Sequence, residues 1–397
     1  MGNGSLSSAP AVSIVRAADY NLTELVPAVK KSLELIGGLD VFIKPGHKVF
    51  VKINHLPPPS APERGIITHP CFVEAVLTLL KEINCDVTVG DDIEGENVSG
   101  FKISGFQEMC ARTGVRLVNL REAGFVEIEV NGRVLKSLFV SRIVMEADVV
   151  INLPKFKTHS LTTFTGGIKN LYGVIPSGLR RRFHGDYLRT EDFSQMLVDI
   201  FSVVRPQLTV MDGITAMEGE GPGSGQLRKL GLILASSDTV ALDAVATKII
   251  GLEPSEVLTT RYASDRKMGI SDLDGIEIRG EQIKDVTVRD FRLPASVSRF
   301  AVDKAPRPLV KYVMSQVAPR PWVRSKNCIA CNECVLACPT GAMTIPDKKT
   351  AVVNNKLCIR CMCCHEVCRY NAIVPRRPFV GQTIYLIVNG IRKIIGK

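Results

Sequence analysis

The sequence predicts an α/β protein, a large mixed and mostly parallel α/β domain followed by a small, cysteine-rich α+β module. Three observations predict it. Short apolar runs alternate with longer helical stretches through the first 290 or so residues, and glycine or acidic residues close many of the runs, as in a parallel sheet. At 397 residues and 45% apolar content, the chain exceeds one ordinary domain and can bury a sizeable core. Near the C-terminal end, a run of four cysteines recurs at an offset of 30 residues, the mark of a duplicated half-domain.

Val12–Val15 reads as the first strand, and Thr23 as the N-cap of a helix that the paired glycines Gly37 and Gly38 terminate. Val49–Ile53 is the second strand. After the proline-rich loop Leu56–Pro62, Thr68-His69-Pro70 starts a helix through Leu80. Asp86–Val89 forms a third strand ending in Gly90-Asp91-Asp92, and a helix over Phe106–Arg112 leads to the strand Arg116–Leu120. Asn131-Gly132 between Val126–Val130 and Arg133–Leu135 signals an inserted hairpin. Asp148–Leu153, Leu208–Met211 and Leu230–Ala235 are further strands, and a helix containing Asp243 follows the last of them. Ligands in such sheets bind beyond the carboxyl ends of strands.

The stretch after Leu153 reads Pro154-Lys155-Phe156-Lys157-Thr158-His159, then Thr165-Gly166-Gly167-Ile168-Lys169-Asn170-Leu171-Tyr172-Gly173. Asp212-Gly213, the loop Met217-Glu218-Gly219-Glu220-Gly221-Pro222 and Ser236-Ser237-Asp238 follow. On these residues, residues 12–290 resemble the domain of unknown function 362 family, whose members often carry a ferredoxin module at one end. That family name implies no reaction, so the site is read from chemistry. Lys155, Lys157 and Lys169 around the Gly166-Gly167 turn suit an anion site for a small-molecule substrate, with Thr158 and Asn170 beside it; solvated loop lysines are the alternative. His159 is the candidate proton donor, against a structural histidine. Asp212, Glu218, Glu220 and Asp238 suit a divalent metal or a substrate amine or hydroxyl; capping helices and pairing with Lys155 or Lys169 is the equal alternative. Arg180-Arg181-Arg182 with His184 reads as an exposed basic face or a lid over an anion.

Cys328, Cys331, Cys334 and Cys338 are closed by Pro339, and Cys358, Cys361, Cys364 and Cys368 repeat their spacing. Three thiolates in a tight loop with a fourth beyond suit an iron–sulfur cubane, and structural zinc is the alternative. This spacing resembles the bacterial two-cluster ferredoxin family. The resemblance implies two 4Fe-4S clusters, one on Cys328, Cys331, Cys334 and Cys368 and the other on Cys358, Cys361, Cys364 and Cys338. Arg369 stands where that family usually has proline, and Cys363 is an extra thiol read as a non-ligand.

Residues 292–397 carry 18 Lys and Arg against 4 Asp and Glu, which leaves 32 against 36 in residues 1–291. The basic third partly offsets the clusters, each of about −2 with its thiolates, and suits an acidic redox partner protein or peripheral contact with an anionic membrane. Nucleic acid fits less well, because interleaved aromatics are missing. No apolar run approaches a membrane span, the first eleven residues lack a signal-peptide core, and oxygen-sensitive clusters fit a reducing cytoplasm and anaerobic metabolism. The expected layout is an α/β domain over residues 12–291, a basic proline-bearing linker over 292–326, the cluster module over 327–378, and a basic amphipathic tail over 379–397 that packs on the body. The leading expectation is an iron–sulfur oxidoreductase in which Lys155, His159, Lys169 and Asp212 share one concavity facing a cluster. A non-catalytic electron carrier and a redox-sensing binding protein are the alternatives.

Overall fold

The structure, a computed structural model, describes residues 9–294, 320–376 and 378, except positions 58, 94–98, 188, 337, 339, 359–362, 367 and 369. Most of the expected linker, its helical stretch at 309–317 and the tail at 379–397 lie outside the described residues. The strands are β1 (Ala11–Arg16), β2 (Lys48–Ile53), β3 (Asp86–Asp91), β4 (Arg116–Asn119), β5 (Phe125–Glu129), β6 (Ser137–Ser141), β7 (Val149–Leu153), β8 (Lys155–His159), β9 (Thr163–Phe164), β10 (Leu208–Glu218), β11 (Gln226–Ser236), β12 (Glu277–Gly280), β13 (Arg320–Val323), β14 (Met343–Thr344), β15 (Val352–Val353) and β16 (Ile373–Arg376). One sheet runs β12-β1-β11-β10-β7-β2-β3-β4, with β8 branching from β10 and β9 pairing with β8. Its centre is parallel and β11 runs against both neighbours, so the large domain is mixed and mostly parallel.

Alternation along the central strands builds the two outer layers. In β2, Val49, Val51 and Ile53 join a core with Leu25, Val29 and Leu33 of the helix Leu22–Glu34 and with Phe72, Val76 and Leu80 of the helix Pro70–Lys81. Phe50, between them, points to the opposite core with Phe193 and Leu197 of the helix Thr190–Val203. Each large apolar side chain buried in these layers contributes roughly 1.5–3 kcal/mol. The register places Val51 between Ile151 and Val89 and so keeps branched side chains stacked across the sheet.

Two local expectations change. Asn21, not Thr23, caps the first helix, its side chain accepting from the Thr23 N–H. The hairpin strand after Asn131-Gly132 begins at Ser137, not Arg133, because the N–H groups of Arg133, Val134 and Leu135 all donate to the buried Asp199 carboxylate instead of to a strand. Among the described residues, no helix is long and apolar enough to cross a membrane.

The cysteine-rich module folds as two short ribbons, β13 with β16 and β14 with β15, and two helical turns, Glu333–Leu336 and Cys363–Glu366. Its duplication shows in the backbone. The Ala342 N–H donates to Cys338 Sγ at 3.1 Å, and the Ala372 N–H donates to Cys368 Sγ at 3.2 Å, 30 residues on. The residue preceding each alanine, Gly341 and Asn371, has φ of 63° and 50°, a left-handed turn that glycine and asparagine tolerate best.

Candidate functional site

Cys328, Cys331, Cys334 and Cys368 line one pocket together with Ile329, Ile345 and Tyr370. Backbone N–H groups of Ala351 and Ala372 point at the sulfurs of Cys328 and Cys368, at 3.4 and 3.2 Å. Such donors stabilise a thiolate and raise the reduction potential of a cluster bound to it. Burial, and then the neighbouring Cys331, Cys328 and Cys368, push the Cys334 thiol up to about 11. Without a cation the crowded Cys334 thiol stays protonated, and a bound cation would offset the repulsion among the pocket's thiolates. Four cysteine sulfurs lining one pocket are the donor set that a cubane takes. These four thiols fit an iron–sulfur cluster. Of the other expected set, Cys338, Cys358 and Cys364 belong to the module's described part, whereas Cys361 lies outside it.

In the large domain, the lysines read as loop residues are buried in β8. Lys155 Nζ donates to Asp212 Oδ2 and to the Tyr20 hydroxyl, both at 2.8 Å, and Tyr20 donates to Asp212 Oδ1 at 2.9 Å. The His69 N–H closes on the same carboxylate at 3.0 Å, and its ring stacks on Tyr20 with centroids 3.7 Å apart. Burial lowers the Lys155 ammonium despite Asp212, and it brings His69 down to about 4. Lys157 Nζ donates to Asn54 Oδ1 at 2.7 Å and to the Ile66 carbonyl at 2.6 Å. Asn54 continues to Asn170, which donates to Asn152. Thr158 Oγ1 donates to the Gly219 carbonyl.

The remaining expectations for this domain are corrected. The N–H groups of Gly167 and Ile168 donate to Asp243, at 2.6 and 3.1 Å, so this chain's own carboxylate occupies the place foreseen for an anion. A Cβ on Gly166 would lie 2.3 Å from Asp243 Oδ1, which is why the turn needs glycine. Burial raises the Asp243 carboxyl to about 7 against those two bonds. His159 is buried, with Nδ1 accepting from the Leu161 and Thr162 N–H groups, and so organises the β8–β9 turn. Lys169 is half-buried beside the Tyr172 ring. Glu218 is buried against Arg292, Asp238 caps the helix Thr239–Ile249, and Asp212 holds Lys155, so these carboxylates do not converge on a divalent metal. Of the residues read as a basic face, Arg180 turns inward to pair with Asp92 at 2.7 Å and His184 packs on Phe193, whereas the side chains of Arg181 and Arg182 lie outside what the structure describes. Lys155, His159 and Asp212 are buried with their polar groups bonded inside the domain, and Lys169 is half-buried beside Tyr172, so the four do not face one open concavity.

Sequence reasoning missed a second buried pair, Lys52 with Asp91 at 2.8 Å, beside His55. A lysine within the apolar run of β2 was the available signal. It also missed the cleft where the cysteine-rich module meets the large domain. This cleft, of about 370 Å³, is lined by Ser60, Arg64, Glu220, Arg324, His365 and Cys368 among others. His365 spans the join: Nδ1 meets the Ile373 carbonyl at 2.6 Å, and Nε2 contacts the Ser224 hydroxyl. Cys368 belongs to both the thiol pocket and this cleft.

Fold and thiol pocket together define an α/β iron–sulfur protein, and residues 321–344 match the 4Fe-4S binding domain. Residues 49–248, half of the chain, match the domain of unknown function DUF362, and the chain belongs to that family. It is 34% identical over 262 residues to the thylakoid-associated protein sll1697 of Synechocystis, a match covering 66% of this chain and 80% of that one. Among solved structures, the lactate racemase apoprotein of Thermoanaerobacterium thermosaccharolyticum is similar at 12% identity and a TM-score of 0.38, over 58% of this chain and 55% of that one.

Proposed function

We propose that the chain is an iron–sulfur oxidoreductase whose reacting molecule, a small anion, binds in the cleft between the two domains. The carrying observation is that Cys368 lines both the thiol pocket and the cleft. Cys328, Cys331, Cys334 and Cys368 would hold one 4Fe-4S cluster, and Cys338, Cys358, Cys361 and Cys364 a second. A bound cluster supplies single electrons. The chain's own residues do the rest: Arg64 and Arg324 attract an anion, Ser60 offers a hydroxyl, and Glu220 accepts from a donor group. His365, held between Ile373 and Ser224, fixes the module against the cleft.

The test is re-oxidation of the anaerobically reduced protein by a panel of small carboxylates and phosphates, followed by cluster absorbance. A substrate in the panel should re-oxidise the cluster, and Arg64→Ala should slow it roughly tenfold through lost charge complementarity. The second reading is a carrier with no reaction of its own, favoured by the internal satisfaction of Lys155, Lys157 and Asp212. Re-oxidation by acceptor proteins alone would support it.

A further inference from the structure

We propose that the outer wall of the thiol pocket docks an acidic one-electron carrier protein, which meets Ile329 and Tyr370 by apolar contact and Lys326 and Lys349 by charge. This rests on the reading that the pocket holds an electron-transferring cluster. Ile329 and Tyr370 are 58% and 43% exposed, yet both line the pocket of Cys328, Cys331, Cys334 and Cys368. Cys331 is itself exposed. Of the eleven large apolar side chains exposed among the described residues, five fall between residues 320 and 376, so the small module carries nearly half of them on far fewer residues than the large domain. A window of this kind beside the cluster shortens the path from a docked donor.

Charge selects the partner. Residues 320–378 contain ten Lys and Arg against three Asp and Glu, an excess larger than the charge that two clusters would cancel. Lys326 and Lys349 are exposed. Lys326 stands two residues before Cys328, and Lys349 two before Ala351, whose N–H meets Cys328 Sγ, so both cations sit on chain that frames the same thiol. Glu333 is the acidic residue on that wall. An apolar centre with a cationic rim fits a protein of opposite charge, because its apolar contacts lack the converging polar groups that orient a small molecule. One electron would leave the carrier's centre, which is oxidised, and reduce the cluster by one; no bond forms or breaks. Entry at this wall and exit past Cys368 give the electron separate doors.

The experiment measures binding of fluorescently labelled flavodoxin, a small acidic electron carrier, to the full-length, anaerobically reconstituted chain by anisotropy. Lys326→Glu with Lys349→Glu should weaken binding roughly tenfold at low ionic strength, and added salt should weaken the wild type similarly. Ile329→Ser should weaken binding with little change in salt dependence. Lys30→Glu with Lys284→Glu, the same charge change on the large domain, should leave affinity within about twofold. If the glutamate pair loses iron, Lys326→Gln with Lys349→Gln is read instead and should weaken binding in the same direction. Absence of binding by the wild type, equal affinity in the pocket-wall variants, an equal loss in the control pair, or binding only to vesicles of anionic phospholipid would overturn the proposal. Because binding is read directly, these outcomes leave the cleft reading intact, and failure of the cleft appears only in the re-oxidation assay.

Discussion

At the scale of single residues, the large domain keeps its charges by pairing them indoors. Lys155 and Asp212 are 1% and 0% exposed, and each would be stranded without the other. Lys155→Met should therefore cost about 3–5 kcal/mol in denaturant unfolding, and adding Asp212→Leu should recover much of it, because a buried pair is weak in net terms while a lone buried charge is not. Burial also holds His55 and His184 neutral, each down to about 3. The unfolded chain takes up protons on these groups below pH 6.5 and the folded chain does not, so their contribution is complete above pH 6.5 and is lost as pH falls toward 3. Replacing His55 with Gln should flatten the pH dependence of stability between 4 and 6.5, by at most about 1.4 kcal/mol per pH unit. Asp243 has the opposite sign: its raised carboxyl stabilises fully below about pH 4, and that contribution is lost as pH rises through 7. These environments were not legible from spacing. Lys155 and Lys157 alternate with Phe156 and Thr158 in a strand buried on both faces, so the usual polar-outward reading of alternation fails there.

At the scale of elements, the strands were legible because each central one is an apolar run buried between two helical layers. What the sequence hid was the length of the long pair: β10 continues past Met211 to Glu218 through Asp212, Gly213 and Thr215, which read as a loop. The anion site foreseen at Gly166-Gly167 failed for a related reason. Its capping carboxylate, Asp243, comes from a helix 76 residues away, and no local pattern announces it. Asp243→Ala should lower stability by about 1–3 kcal/mol, the cost of leaving buried N–H groups unpaired, without changing iron content. The cysteine loops were legible from spacing alone, since ligand geometry imposes it. Full reconstitution should give about eight iron and eight sulfide per chain, and Cys364→Ser should lower that number. Two zinc ions per chain without visible charge-transfer absorption would instead place the module among structural zinc sites.

At the scale of the whole molecule, the proposed chemistry lies where two separately legible parts meet. Neither the α/β pattern nor the cysteine spacing indicates that Ser224 and His365 touch, or that Arg64 and Cys368 border one cleft. That join depends on how the module is seated, information carried by many weak contacts and not by a motif. In the proposed reading, the buried lysines and carboxylates of the large domain hold the strands in place, and the face it offers the module is made from the loop around Ser60 and Arg64 and from the turn at Glu220. The most direct measurement is the midpoint potential of the cluster, read by anaerobic voltammetry in wild-type protein and in Arg64→Glu. Reversing a charge in the cleft should lower the potential by tens of millivolts if the cluster lies behind Cys368, whereas Lys284→Glu, at an exposed position outside the cleft lining, should leave it unchanged. An Arg64→Glu protein with full iron content and the wild-type potential would contradict the account.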